Sequence, residues 1–372
     1  MPLNPQEASA ADAAPVLVER HGRVGLLIVN RPQALNALDL QAVRRLTQAL
    51  RDWAADPEVI GVVLRGATRE GRPVALCAGG DIKFFHRAGL AGDPDLDAFF
   101  TEEYALNHLI HRYPKPYVAL MDGVVMGGGM GISQGASLRV LTERSVLAMP
   151  ETNIGLFPDV GGGWFLARCP GRLGEYLALS GQGLHAPDAI ACGLGDVLVD
   201  SAGLGELCEQ LLRAREPGEL RDIVSRCART PSPSPLLARR EAIDRHFAQP
   251  DLPAVLASLE ADSGEFAQGV LEQLRPRSPL MMAVSLELVR RARGMALADE
   301  LRMERDLMHH CFHPADGVHG DAIEGIRALA IDKDRQPRWN PASVDQVDPR
   351  AVREFFRSPW APEAHPLAAL RD

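Results

Sequence analysis

The sequence predicts an α/β fold followed by a mostly α-helical C-terminal region. Apolar, β-branched runs alternate with helical spacings as far as Asp200. Glycine clusters fall where strand patterns give way to helical ones. Beyond Asp200 the spacing is mostly helical.

The elements follow in order. Val16 to Glu19 and Val24 to Val29 are strand-like runs split by His21-Gly22, which reads as a hairpin. Asn30-Arg31-Pro32 ends the second strand. Asp39 then caps a helix through about Trp53, with Leu40, Val43, Leu46 and Leu50 on its apolar face. Val59 to Leu64 and Val74 to Cys77 are strands, and a helical stretch runs from Ile82. Asp95 to Arg112 is helical, Pro116 to Met121 is a strand, and Asp122-Gly123 turns the chain. Gly127-Gly128-Gly129 precedes a small-residue helix from Met130 to Gly135. Short strands at Leu138 to Leu141, Val146 to Ala148 and Val197 to Val199 bracket helices at Leu173 to Leu179 and Ala186 to Cys192. Further helices are expected at Leu204 to Arg215, Leu236 to Phe247, Leu252 to Asp262, Phe266 to Arg275, Leu280 to Arg293 and Leu297 to His310. Thr230 to Pro235 is a proline-rich loop. The expected organisation is a core over residues 15–200 and a mostly helical region over 201–372 that completes the fold.

Composition bounds the function. Hydrophobic residues make up 46% and charged residues 24% of the 372, the balance of a globular protein. A net charge of -9 argues against non-specific nucleic-acid binding, which needs a basic surface. It leaves room for an anionic ligand held locally. The six cysteines are scattered without a C-x-x-C pair, and a chain of this size needs no disulfide staples. They read as reduced thiols in a cytoplasmic compartment. Met1 to Pro15 is polar and alanine-rich, with no arginine before Arg20, and reads as neither a secretory signal nor a mitochondrial presequence. No apolar run approaches the roughly 20 residues that span a membrane.

Three segments have the residue types for chemistry. Cys77-Ala-Gly-Gly-Asp81 leaves a strand and enters a helix, where free N–H groups can bind an oxyanion. The same spacing also suits a tight turn with Asp81 as N-cap. Met126-Gly-Gly-Gly-Met-Gly131 is placed similarly, and serves equally for close helix packing or for a ligand. Glu151 and Asp159 each adjoin a proline and flank the apolar Ile154 to Pro158, with Gly161-Gly-Gly163 following. Rigid turns can aim two such carboxylates into one pocket, where burial and mutual repulsion tune them for acid–base work. On spacing alone they read more readily as surface loop carboxylates.

Two rival patterns are weaker. Gly131-Ile-Ser-Gln-Gly135 matches the nucleophile elbow G-x-S-x-G, but the expected helix encloses Ser133, whereas an elbow serine stands between strand and helix. His309 and His313 have the i, i+4 spacing of metal ligands, with His319 beyond, yet Pro314 follows and no acidic ligand adjoins them in sequence. They read as solvated histidines at a helix end, and no metal is expected. No dinucleotide or P-loop fingerprint is present.

Taken together, the motifs resemble the crotonase (enoyl-CoA hydratase/isomerase) superfamily. The matching pieces are Asn30-Arg-Pro-Gln-Ala-Leu-Asn-Ala37, Cys77-Ala-Gly-Gly-Asp-Ile-Lys83, Asp122-Gly-Val-Val-Met-Gly-Gly-Gly129 and Met149-Pro-Glu-Thr through Gly163, in the family's order. The resemblance implies a spiral of ββα units that binds an acyl-CoA thioester, often in a homo-oligomer of trimer type. It places the two N–H donors for the thioester oxygen at Gly80 and Gly128. The adenine end of CoA falls at Gly80, Asp81, Ile82 and Lys83.

The sequence departs from the hydratases of that family. Their second catalytic glutamate matches Glu151, but their first falls at Gly131, which has no side chain. Asp159 stands where they usually have glycine. These features, with Glu102-Glu-Tyr-Ala-Leu-Asn107, Glu324-Gly-Ile-Arg-Ala and Pro337-Arg-Trp339, resemble the 3-hydroxyisobutyryl-CoA hydrolase subfamily. That resemblance implies thioester hydrolysis in valine catabolism, with Glu103, Gly128, Glu151 and Asp159 contacting substrate. Glu151 is then a general base for water or a nucleophile forming a transient anhydride. Asp159 accepts the substrate 3-hydroxyl and Glu103 closes the acyl pocket. No metal or redox cofactor is implied. A hydratase or dehydratase using Glu151 alone, a serine hydrolase using Ser133 and a non-catalytic acyl-CoA binder are the competing readings.

Overall fold

The computed structural model describes residues 14–313 and 320–372. His319 and most of the polar segment Met1 to Pro15 lie outside them. The described residues form two compact units, each assembled from separate stretches on both sides of Asp200. One takes the residues up to Gly80 with Leu109–Leu147 and Leu184–Pro233; the other takes Asp81–His108, Ala148–Gly183 and the rest from Ser234.

The first unit contains the main sheet. β1 (Val16–His21) and β2 (Val24–Val29) pair antiparallel, Val16 opposite Val29, around the turn at Gly22, where φ is +59°. β3 (Gly61–Gly66), β5 (Tyr117–Met121), β7 (Leu138–Thr142) and β10 (Val197–Val199) continue it in parallel, giving the order β1-β2-β3-β5-β7-β10. A smaller sheet has the order β4-β6-β8-β9, from β4 (Ala75–Cys77), β6 (Val124–Met126), β8 (Val146–Ala148) and β9 (Leu184–His185).

Alternation decides which helices cover the large sheet. Val24, Leu26 and Ile28 share a face with Val63, Val118, Leu120 and Val140. Leu207 and Leu211 of α8 (Leu204–Leu212) and Leu220, Ile223 and Val224 of α9 (Pro217–Cys227) pack against that face. On β2 the intervening Gly25 leaves room for Trp53 of α1 (Leu40–Ala55), since a Cβ there would lie 2.5 Å from the indole. Asp39 caps α1 as expected, its side chain accepting from the Ala42 N–H at 2.8 Å.

The second unit is mostly helical. It holds α2 (Ile82–Ala91), most of α3 (Asp95–His111), α5 (Gly162–Leu166), α6 (Leu173–Ser180) and α10 (Arg240–Phe247) through α13 (Pro279–Ala292). α14 (Leu297–Phe312), α15 (Asp321–Ile326) and α16 (Pro349–Phe355) complete it. α4 (Gly128–Gln134) and α7 (Ala186–Ala191) belong to the first unit.

The α/β class and the helical C-terminal region match the sequence reading, and several local expectations need correction. The strand expected at Val59 to Leu64 starts at Gly61, because its register is set by Val24 opposite Gly61. α9 was not anticipated, nor were α5, α15 and α16; in α9 only Leu220, Ile223 and Val224 form a buried stripe. The helix expected over Leu236 to Phe247 begins with a tighter 3-10 turn at Leu237–Arg239. Among the described residues, no helix is long and apolar enough to cross a membrane.

Candidate active site

Two glycine turns lie side by side in the first unit. Gly79, at φ +107°, ends β4, and Gly127, at φ +49°, begins α4. A Cβ on Gly79 would sit 3.4 Å from the Met126 carbonyl and 3.7 Å from the Gly128 nitrogen. Gly129 lies closer still, since a Cβ there would stand 2.2 Å from the Cys77 carbonyl oxygen. These glycines therefore serve backbone-to-backbone approach of β4 and α4.

Gly128 occupies the first position of α4, where no carbonyl of the helix precedes its N–H. Gly80 bridges to Leu38, whose own N–H donates to Gly79 at 2.8 Å. The two sequence-predicted donors thus stand on neighbouring turns of one unit. Asp81 and Lys83 are placed differently. The Asp81 side chain accepts from the Phe84 N–H at 3.3 Å and caps α2, as its alternative reading held. Lys83 is exposed on the first turn of α2, and Ile82 beside it is half-buried.

The predicted carboxylates come together in the second unit. Glu103 comes from α3, Glu151 from the 3-10 turn Glu151–Ile154, and Asp159 from the loop before α5. Their exposures are 2%, 7% and 7%, so all three are buried. The reading of Glu151 and Asp159 as surface loop carboxylates is thereby excluded.

Their electrostatics follow from that burial. Removal from water pushes Glu151 well above the ordinary glutamate range, and the Asp159 charge adds to it. Glu103 is raised for the same two reasons in the same order. Asp159 rises to about 6 through burial, held back by a hydrogen bond from the Tyr104 hydroxyl at 2.8 Å. Neither Oε2 of Glu151 nor Oε1 of Glu103 has a hydrogen-bond partner in the protein. Buried polar atoms are normally satisfied, so unpaired oxygens on raised-pKa acids mark a place for ligand or water.

Three residues of this cluster escaped the sequence reading. Tyr104 follows Glu103 directly and aims its hydroxyl at Asp159. Glu300 and Glu304 lie four apart on α14, both fully buried. Both oxygens of Glu304 accept backbone N–H groups, from Gly161 at 2.8 Å and Gly163 at 3.1 Å. A signal for this pair was present in the sequence. Leu297, Leu301 and Met308 form an apolar stripe on which positions 300 and 304 also fall.

The serine pattern resolves against its functional reading, and the histidine pair gains an acidic neighbour. Ser133 lies inside α4, fully buried, and its hydroxyl donates to the Gly129 carbonyl at 2.7 Å. A serine spent on its own helix has no base to activate it. His309 and His313 stack at 4.3 Å on one face of α14, and the acidic neighbour missing from the local sequence comes from Asp97 of α3. Asp97 is engaged by Arg305 on one oxygen and by His313 at 3.4 Å on the other. The parallel rings turn their faces, not their in-plane lone pairs, toward each other, and burial pushes His309 down to about 4.

Comparison with known proteins bears on this geometry. The enoyl-CoA hydratase/isomerase family pattern matches residues 24–356. The chain is 36% identical over 352 residues to the mitochondrial 3-hydroxyisobutyryl-CoA hydrolase of Gallus gallus, covering 93% of this chain and 89% of that protein. It is 38% identical over 354 residues to the protein of the same name from Rattus norvegicus, covering 93% and 90%. Among solved structures, a carnitinyl-CoA dehydratase from Mycobacterium thermoresistibile superposes with a TM-score of 0.85 at 35% identity, covering 92% of this chain and 96% of that one. An enoyl-CoA hydratase from Rhodobacter sphaeroides gives 0.84 at 37%, covering 93% and 98%.

Proposed function

Because the chain belongs to the enoyl-CoA hydratase/isomerase family and, within it, to the 3-hydroxyisobutyryl-CoA hydrolase subfamily, we propose that it hydrolyses a short, branched 3-hydroxyacyl-CoA, 3-hydroxyisobutyryl-CoA itself. The products are free CoA and the hydroxy acid of valine breakdown. The observation that carries this reading is Glu151, a buried carboxylate with an unpaired oxygen and a pKa raised by desolvation, eight residues before a second buried carboxylate.

The proposed step balances as follows. The N–H groups of Gly80 and Gly128 donate to the thioester oxygen and hold the oxyanion that develops there. Glu151 takes a proton from water as the water oxygen bonds to the carbonyl carbon. The tetrahedral intermediate collapses, the C–S bond breaks, and the thiolate takes the proton back from Glu151. A raised pKa suits this work, because a general base is most effective when its pKa approaches the working pH. Asp159, kept partly ionised by the Tyr104 hydroxyl, accepts the substrate 3-hydroxyl. Glu103, pushed toward its neutral form, closes the acyl pocket. Backbone N–H groups and one carboxylate supply all the polarisation this sequence requires, so the proposed reaction uses neither a metal nor a redox cofactor. The adenine end of CoA is assigned to the stretch Gly80 to Lys83, and a trimer-type oligomer is the assembly expected. All six cysteines are free, which fits a reducing, cytoplasmic setting.

Hydration by a single glutamate is the second reading, favoured by the names of the two solved structures. It lacks a second acid–base group at the family position occupied here by Gly131. Thiol release separates the two, since hydration leaves the thioester intact. Glu151→Gln should bind CoA within twofold of the wild type and lose turnover by about 1,000-fold. Retained thiol release in that variant would remove Glu151 from the mechanism. Single turnover in ¹⁸O-water should leave Glu151 unlabelled; label in its carboxylate would establish an anhydride route instead.

A further inference from the structure

Two acids in the second unit have no part in the proposed chemistry, yet they are more deeply buried than those that do. Glu300 and Glu304 are both at 0% exposure on α14. Burying two carboxylates four residues apart is unfavourable unless their charge is shared or compensated. Glu304 has its compensation in the Gly161 and Gly163 N–H groups. Glu300 lies against the same loop, since a Cβ on Gly163 would stand 2.4 Å from its Oε1.

That loop is the one that presents Asp159. Between Asp159 and Gly161 stands Val160 at φ +57°, in a region β-branched residues almost never enter. Such a backbone persists only where its surroundings over-determine it. The Gly162 N–H closes onto the Asp159 carbonyl at 2.8 Å, so the turn carrying the carboxylate is continuous with the two amides Glu304 grips.

We propose that Glu304 is a positioning residue: its carboxylate clamps the Gly161 and Gly163 amides and so holds Asp159 in register with the substrate 3-hydroxyl. Glu300 shares a proton with it. Both acids are pushed up by burial, and their mutual contact raises Glu304 further while lowering Glu300, so one proton is shared by the pair. The other charged groups that act on the pair are Asp159, which disfavours ionisation, and Arg168, which favours it at Glu300.

This inference rests on the reading that Asp159 recognises the 3-hydroxyl, so the test compares 3-hydroxyisobutyryl-CoA with isobutyryl-CoA. Glu304→Gln turns an NH2 toward one of the two backbone donors. Its kcat on the hydroxylated substrate should fall about 10- to 100-fold, the size of effect seen when a supporting group is lost. The fall on isobutyryl-CoA should be under threefold, and hydrogen exchange at Gly161 to Gly163 should quicken in the free protein. Glu300→Gln leaves both loop amides with their Glu304 acceptor and should retain selectivity. Where Glu304→Gln does not accumulate as folded protein, Glu304→Asp withdraws the same charge by one methylene and is judged by the same criteria. Equal losses on both substrates, or unchanged exchange at the loop, would overturn the positioning role. If the wild type itself releases no thiol, the functional reading fails, while the exchange experiment still decides the clamp.

Discussion

Replacing Asp159 by asparagine should make the protein more stable, and the size of the gain should depend on pH. The fold raises this carboxyl from its ordinary 3.8 to about 6, mainly by burying it. The folded state therefore holds a proton that the unfolded chain has released between about pH 4 and pH 6, and stability falls as pH rises through that window. Above it the full charge is buried, at a cost of about 3 kcal/mol for a shift of roughly two units. Asparagine removes the charge and keeps a carbonyl to accept the Tyr104 hydroxyl, which now donates at 2.8 Å. For a chain of 372 residues the unfolding entropy is roughly 0.8 kcal/mol/K, so that energy corresponds to about 4 °C in Tm. Scanning calorimetry of both proteins at pH 8 and pH 4.5 gives the comparison. The variant should melt about 4 °C higher at pH 8, with the gap mostly closed at pH 4.5, and should process the hydroxylated substrate poorly. A gap that does not change with pH, or a variant that melts lower at pH 8, would refute the account of Asp159 as an ionised group held at a cost.

Other outcomes follow from the same geometry. The Tyr104 hydroxyl lowers the Asp159 pKa, so Tyr104→Phe should move the acid limb of the kcat/KM profile to higher pH; an unmoved limb would show that Asp159 ionisation does not govern activity. Gly129→Ala would drive a Cβ to 2.2 Å from the Cys77 carbonyl and should destabilise by more than about 2 kcal/mol in urea, whereas Gly205→Ala at an exposed position of α8, with no neighbour within 4 Å, should be neutral or stabilising.

The fold class was legible because the large sheet is read twice by the sequence. β2, β3, β5 and β7 are buried runs of Val, Leu and Ile, and each is followed by a turn residue or a helical spacing. What the local pattern could not supply was register and membership. Gly61 rather than Val59 begins β3 because the neighbouring strand decides it. α8 and α9 follow Asp200 in sequence, where the pattern turns mostly helical, yet they cover the first sheet, and no local periodicity says which surface a helical stripe will meet.

The site was legible to a different depth for each kind of group. The glycine turns announce themselves, because three consecutive glycines are explained by close backbone approach, and the Gly129–Cys77 separation bears that out. Glu151 and Asp159 looked like any pair of loop acids, since burial is a property of the surroundings and not of the residue. The supporting shell was hidden further still. Tyr104 and Glu304 act on the Asp159 loop from helices remote in sequence, and their chemistry shows only when the loop they touch is present. One trace was nevertheless available: an acid placed on the apolar stripe of α14 is costly unless a partner meets it there. Glu300 and Glu304 break that stripe twice in one turn, and a sequence that keeps two such breaks needs a buried group for them to hold. In this protein that group is the strained turn bearing Asp159.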